Sequence, residues 1–146
     1  MMKLMQIMTL QQLTKKSYDE AYEKAVELQK SEGYTFVHPF DDEDVMEGQG
    51  TIALEIMEEL PDVDYILVPI GGGGLISGIA CAAKQINPSV KIVGVEPEGA
   101  ASALAAVEDD QLVKLSEVST IADGTAVKQI GETPFEYIKK YVDEIV

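Results

Sequence analysis

The sequence predicts an α/β domain with a mainly parallel sheet flanked by helices. Apolar, strand-like runs alternate with segments of helical periodicity. The run Tyr65 to Pro69 is continuously apolar, as in strands covered on both faces of a parallel sheet. Four consecutive glycines, Gly71 to Gly74, then lead straight into a second apolar run. Such sheets have right-handed crossovers and bind ligands at the carboxyl ends of their strands.

Ser17 and Glu20 form a capping box, and Tyr18, Ala21, Tyr22, Ala25 and Val26 follow at helical spacing until Gly33. Thr35 to Val37 predicts a short strand. The acidic run Asp41 to Asp44 suits the positive end of a second helix, which carries Ile52, Ile56, Met57 and Leu60 and is weakened early by Gly48 and Gly50. After the strand Tyr65 to Pro69, Leu75 to Ile86 predicts a helix stopped by Asn87-Pro88. Val90 to Val95 predicts the next strand and Ala100 to Val107 a helix. Leu112 to Leu115 predicts a short strand and Thr133 to Tyr141 a last helix before Ile145-Val146. The only compositional seam precedes Ser17, since four of the six methionines lie in the first eight residues. Residues 1–16 are therefore expected to be a lead-in and residues 17–146 the domain.

At 146 residues and 46% hydrophobic, the chain suits one ordinary domain with one core. No run is long and apolar enough for a membrane span, and the opening lacks a cleavable-signal pattern, so a cytoplasmic protein is expected. A formal net charge of -15, with all eleven basic residues lysine, argues against nucleic acid or an anionic membrane as partner. Cys81, the single cysteine, sits in a helical apolar pattern and reads as a small buried side chain. His38, the single histidine, has no partners for a metal site and reads as structural.

A strand that ends in glycines and feeds a helix presents amide N–H groups at a helix N-terminus, which suits a phosphate without any basic side chain. The alternative is a tight turn whose glycines serve packing alone, although packing rarely needs four in a row. A nucleoside-triphosphate loop is excluded, because no Gly-Lys-Ser/Thr follows. A dinucleotide fingerprint is a near miss: Gly72 and Gly74 have the spacing and Glu96 ends the next strand, but Ser77 holds the third glycine position.

The stretch "VPIGGGGLISGIA" resembles the tetraglycine loop of fold-type II pyridoxal-phosphate enzymes, in their serine/threonine dehydratase group. "FVHPFDDEDVMEGQGTIALEI" before it, and "KIVGVEPEGAASA" and "TIADGTAVKQIGETPFEYI" after it, resemble the same group in the same order. The likeness is strongest to the catabolic-type threonine dehydratases, or threonine ammonia-lyases. It implies part of the tryptophan synthase β-like fold. It also implies pyridoxal 5'-phosphate held by Gly71, Gly72, Gly73, Gly74 and the amide of Leu75. The implied reaction converts L-threonine to 2-oxobutyrate and ammonia, and serine to pyruvate.

By the same resemblance Glu96 and the backbone of Ala100 stand at divalent-metal positions of serine racemase, a relative, with Ser102 where a third, acidic ligand is expected. Asp123 and Gly124 resemble a loop beside the cofactor, or else make an ordinary Asp-Gly turn. None of the lysines matches the group's Schiff-base lysine motif, and Lys84 and Lys128 read as surface residues. The chain alone is therefore expected to be inactive. Its expected partners are an amino-acid substrate and either further copies of itself or a complementing chain. A non-catalytic phosphate-ligand binding or interaction module, and a Rossmann-like dinucleotide binder, are the competing expectations.

Overall fold

A computed structural model describes residues 18–146, and Ser17 of the expected capping box lies outside them. The chain divides after Pro39 into two compact units. In the first, helix α1 (Tyr18–Glu32) ends at Gly33, whose φ of +70° lets its amide donate to the Gln29 carbonyl. Ala21 and Ala25 are buried, with Tyr22, Leu28 and Phe36 packed on them. The strand expected at Thr35 to Val37 is reduced to a single bridge at Thr35.

The second unit runs α2 (Glu43–Glu59), β1 (Tyr65–Pro69), α3 (Gly74–Ile86), β2 (Lys91–Val95), α4 (Ser102–Glu108), α5 (Glu132–Tyr141) and β3 (Glu144–Ile145). Short 3-10 turns fall at Glu98–Ala100 and Asp123–Thr125. Its sheet is parallel throughout, in the order β1-β2-β3, with Tyr65 opposite Lys91 and Val93 opposite Glu144. Asp42 caps α2, its Oδ1 accepting the Asp44 amide at 3.0 Å and the Val45 amide at 3.4 Å.

The core gathers Ile66 and Val68 of β1, Ile76, Ile79, Ala80 and Ala83 of α3, Ile92 of β2 and Phe135 and Ile138 of α5. Each large aliphatic side chain so buried contributes about 1.5–3 kcal/mol. Helix α3 is apolar almost all round because it packs against α2, α5 and β1.

Three further expectations need correction. β1 is not covered on both faces: Ile66 and Val68 are buried, but Tyr65 is 61% and Leu67 64% exposed. Leu112 to Leu115 forms no strand and is tied instead by the Leu115 amide to the Lys128 carbonyl, at 2.8 Å. Lys84 is not a free surface lysine. Its Nζ donates to the Val90 carbonyl at 2.7 Å and pairs with Asp143 at 2.7 Å, where Lys91 also pairs at 2.8 Å. Asp143 in turn accepts the Ile92 amide at 2.9 Å, so one carboxylate clasps α3, β2 and the entry to β3. Lys128 is half-buried and donates to the Ser116 carbonyl, at 3.0 Å.

Candidate functional site

The glycine turn sits where β1 passes into α3. The Ile70 amide still belongs to the sheet, donating to the Val95 carbonyl at 2.9 Å. The next amide to find a protein acceptor is that of Ser77, 3.0 Å from the Gly73 carbonyl. Between them, none of the amides from Gly71 to Ile76 donates to an acceptor among the described residues. Any helix start leaves four such donors, here Gly73 to Ile76. Gly71 and Gly72 add two more from the turn. Gly73, the N-cap, has φ +95° and ψ -9°, a left-handed conformation that favours glycine and brings no side chain over the helix end. The positive pole of α3 adds to the attraction for an anion.

Neighbours press closely on the turn. A Cβ on Gly72 would lie 2.1 Å from Cγ of Phe40, and one on Gly74 would lie 2.8 Å from the Phe40 Cα and carbonyl oxygen. A Cβ on Gly73 would lie 2.7 Å from Cβ of Pro134, and one on Gly71 would lie 3.2 Å from Cα of Thr125 and 3.4 Å from the Gly124 carbonyl oxygen. Close packing and amide presentation, set out above as alternatives, thus coincide in this turn. The structure also brings Gly124 and Thr125, of the loop that begins at Asp123, against Gly71.

Glu96 follows β2, and its carboxylate turns inward. Its Oε1 accepts the Ala103 amide at 3.0 Å and its Oε2 the Leu104 amide at 2.8 Å, capping α4. Burial raises its pKa above the ordinary carboxylate range, and the amides of Ala103, Leu104 and Ser102 offset this only in part. Ala100 is buried in the adjoining 3-10 turn, and Ser102 is fully buried with its hydroxyl unpartnered. No group of three or more His, Cys, Asp or Glu side chains that could hold a metal ion occurs among the described residues. With both oxygens engaged, the Glu96 carboxylate is also poorly disposed to a ribose.

His38 lies in the first unit, its ring 5.6 Å from that of Tyr22 and 6.0 Å from that of Phe36. Cys81 is half-buried and accepts from Nε2 of Gln85 at 3.5 Å. The residues missed by sequence reasoning are Phe40, Asp41, Gly131 and Pro134. All four stand inside the quoted motif stretches, so a signal existed. What the chain order concealed was that residues 91 apart meet at one turn.

The pyridoxal-phosphate dependent enzyme family matches residues 3–146. The chain belongs to that family. It is 52% identical over 129 residues to the L-threonine ammonia-lyase of Thermotoga maritima, covering 88% of this chain and 32% of the relative. Identity to the L-threonine ammonia-lyase of Geobacter sulfurreducens is also 52%, over 134 residues, covering 92% of this chain and 33% of the relative. Among solved structures, the processed form of threonine deaminase isoform 2 from Solanum lycopersicum matches with a TM-score of 0.86 at 46% identity, covering 90% of this chain and 38% of that one. The family and fold type inferred from the four motif stretches are therefore those found. The chain spans about a third of the length of the curated relatives it matches.

The turn fits the phosphate of this family's cofactor. A phosphate needs several convergent donors, and the turn offers six amides without protein acceptors in a chain that has no arginine.

Proposed function

We propose that this chain supplies the phosphate-binding part of a pyridoxal-phosphate-dependent threonine (or serine) ammonia-lyase, which converts L-threonine to 2-oxobutyrate and ammonia. The observation that carries the reading is the run of acceptor-free amides from Gly71 to Ile76 at the start of α3. When bound, pyridoxal phosphate supplies an electron sink for loss of the α-proton and the β-hydroxyl. The chain's own task is to hold and orient the phosphate through Gly71, Gly72, Gly73, Gly74 and Leu75, while Phe40 and Pro134 shield the turn from water. Glu96 and Ala100, the remaining candidates for a divalent ion, are assigned to shaping the start of α4.

No lysine of the chain matches the family's anchoring motif, so the reading includes inactivity of the chain alone and complementation by a lysine-bearing polypeptide. Further copies of the chain are the other partners it accommodates. A cytoplasmic setting is part of the same proposal; no helix among the described residues is long and apolar enough to cross a membrane.

Equilibrium dialysis against pyridoxal phosphate and against pyridoxal tests the reading. Saturable binding that requires the phosphate, and that inorganic phosphate displaces, is expected. Equal affinity for the two compounds would overturn it. Threonine-dependent 2-oxobutyrate release on co-expression with a lysine-bearing partner tests the activity itself.

A further inference from the structure

We infer that Asp41 is a positioning residue for the phosphate-binding turn, acting through Phe40 and the first turn of α5; the inference rests on the reading just proposed. Glycine amides hold an anion only while they converge, and a glycine backbone has more freedom to lose than any other. The convergence must be imposed from outside the turn. Two segments far apart in sequence supply it.

On one side stands Phe40, its ring against Gly72 and its backbone against Gly74. On the other stands the start of α5, where Pro134 presses on Gly73 and the Gly131 amide donates to the Gly72 carbonyl at 3.0 Å. Ser77 Oγ reaches the Pro134 carbonyl at 3.4 Å from within α3.

Asp41 joins the two sides. Its Oδ2 accepts the Glu132 amide and its Oδ1 the Thr133 amide, each at 3.0 Å. It thereby caps α5, whose own N-cap, Gly131, has no side chain to do so. The fit is close: a Cβ on Gly131 would lie 2.8 Å from Cβ and Cγ of Asp41. Because Asp41 directly follows Phe40, its grip on Glu132 and Thr133 fixes the separation between the two braces. Without it, both amides lose their acceptor and Phe40 and Pro134 can part.

Charge predicts the opposite outcome, which makes the inference decisive to test. On electrostatics alone, removing an acid near an anion site strengthens anion binding. Positioning requires that binding weaken.

The experiment compares the 146-residue chain with Asp41→Ala, Asp41→Asn and, as a remote control, Glu58→Ala on the exposed side of α2. It measures affinities for pyridoxal phosphate and pyridoxal by equilibrium dialysis, and records the glycine amide resonances by NMR. Asp41→Ala is expected to weaken pyridoxal phosphate binding roughly tenfold, the loss of one or two charge-assisted hydrogen bonds, and to leave pyridoxal unchanged. Asp41→Asn, which keeps one carbonyl acceptor, recovers part of the loss, and Glu58→Ala matches the wild type. Should Asp41→Ala not fold, Asp41→Asn carries the test through a smaller loss and shifted Gly71 to Gly74 amides. Unchanged or tighter pyridoxal phosphate binding with unmoved glycine amides overturns the inference, as does an equal loss for both compounds. A wild-type chain that does not distinguish the two compounds overturns the phosphate reading and this inference with it.

Discussion

Gly78 of α3 lies so close to Met46 of α2 that a Cβ at position 78 would come 2.1 Å from the Met46 carbonyl oxygen. The same Cβ would stand 2.8 Å from the Gly50 amide nitrogen, and one on Gly50 would stand 3.2 Å from the Gly78 carbonyl oxygen. The two helices therefore cross backbone to backbone. Helix propensity favours alanine by about 1 kcal/mol, whereas forcing a methyl into packed backbone costs about 1–3 kcal/mol. At 2.1 Å from a main-chain oxygen the clash wins. Gly78→Ala is expected to lower stability by about 1–2 kcal/mol in urea denaturation.

Gly48, midway between Met46 and Gly50 but on the opposite, exposed face of α2, gives the opposite sign. A Cβ there meets nothing within 4 Å, and the residue is exposed within α2. Gly48→Ala should stabilise by about 0.5–1 kcal/mol in the same assay, through helix propensity alone. A loss would show that α2 is not continuous through this position.

These glycines show what the chain order did and did not reveal. The glycine turn, α3 and the β1-β2 pair were legible because apolar periodicity and glycine placement are local signals. Gly50 read as a weak point in a helix, since nothing local announces that Gly78 will lie against it. Lys84 read as surface because its partner, Asp143, arrives only through a third strand. Asp41 merged into an acidic run whose neighbour Asp42 does cap α2, while Asp41 itself caps a helix far downstream. Burial of β1 failed for a related reason: a continuous apolar run does not say which face the described helices cover.

At the turn itself, Gly73→Ala should be the most damaging single change for anion binding. A Cβ would be strained at φ +95° and would lie 2.7 Å from Pro134. We expect at least a tenfold loss of phosphate-dependent affinity in dialysis, about 1.4 kcal/mol. Gly124→Ala, whose Cβ meets nothing within 4 Å, should change it little.

The exposed face of β1 makes a separate prediction. Leu67 is 64% exposed beside Tyr65 at 61%, on an edge strand of the sheet. Replacing Leu67 by serine removes little buried area, so stability should change by no more than about 0.5 kcal/mol. Concentration-dependent association in sedimentation should fall, because an apolar strand face at a sheet edge favours pairing with another chain. Unchanged association would place the contact elsewhere.

Two carboxylates, the partly exposed Asp143 and the buried Glu96, should bend the pH profile in opposite directions. Burial alone would raise the pKa of Asp143, but hydrogen bonds from Lys84 and Lys91, then from the Ile92 amide, outweigh it and hold the carboxyl well below the usual range. A depressed pKa stabilises the fold above the unfolded value, near pH 4, and that contribution disappears as the pH falls further. Asp143→Asn should therefore cost no more than about 1 kcal/mol at neutral pH, because solvent screens this partly exposed cluster, and should flatten the acid limb. Glu96 works the other way, because burial raises its pKa more than its three amide donors lower it. Its native state holds the proton more tightly than the unfolded chain, so its contribution is greatest below the unfolded value and declines as the pH rises through the folded one. Urea midpoints measured from about pH 3 to about pH 7 separate the two. Asp143→Asn should remove the acid-side rise and Glu96→Gln the decline that follows it. A Glu96→Gln profile parallel to that of the wild type would mean that folding leaves the proton affinity of Glu96 unchanged.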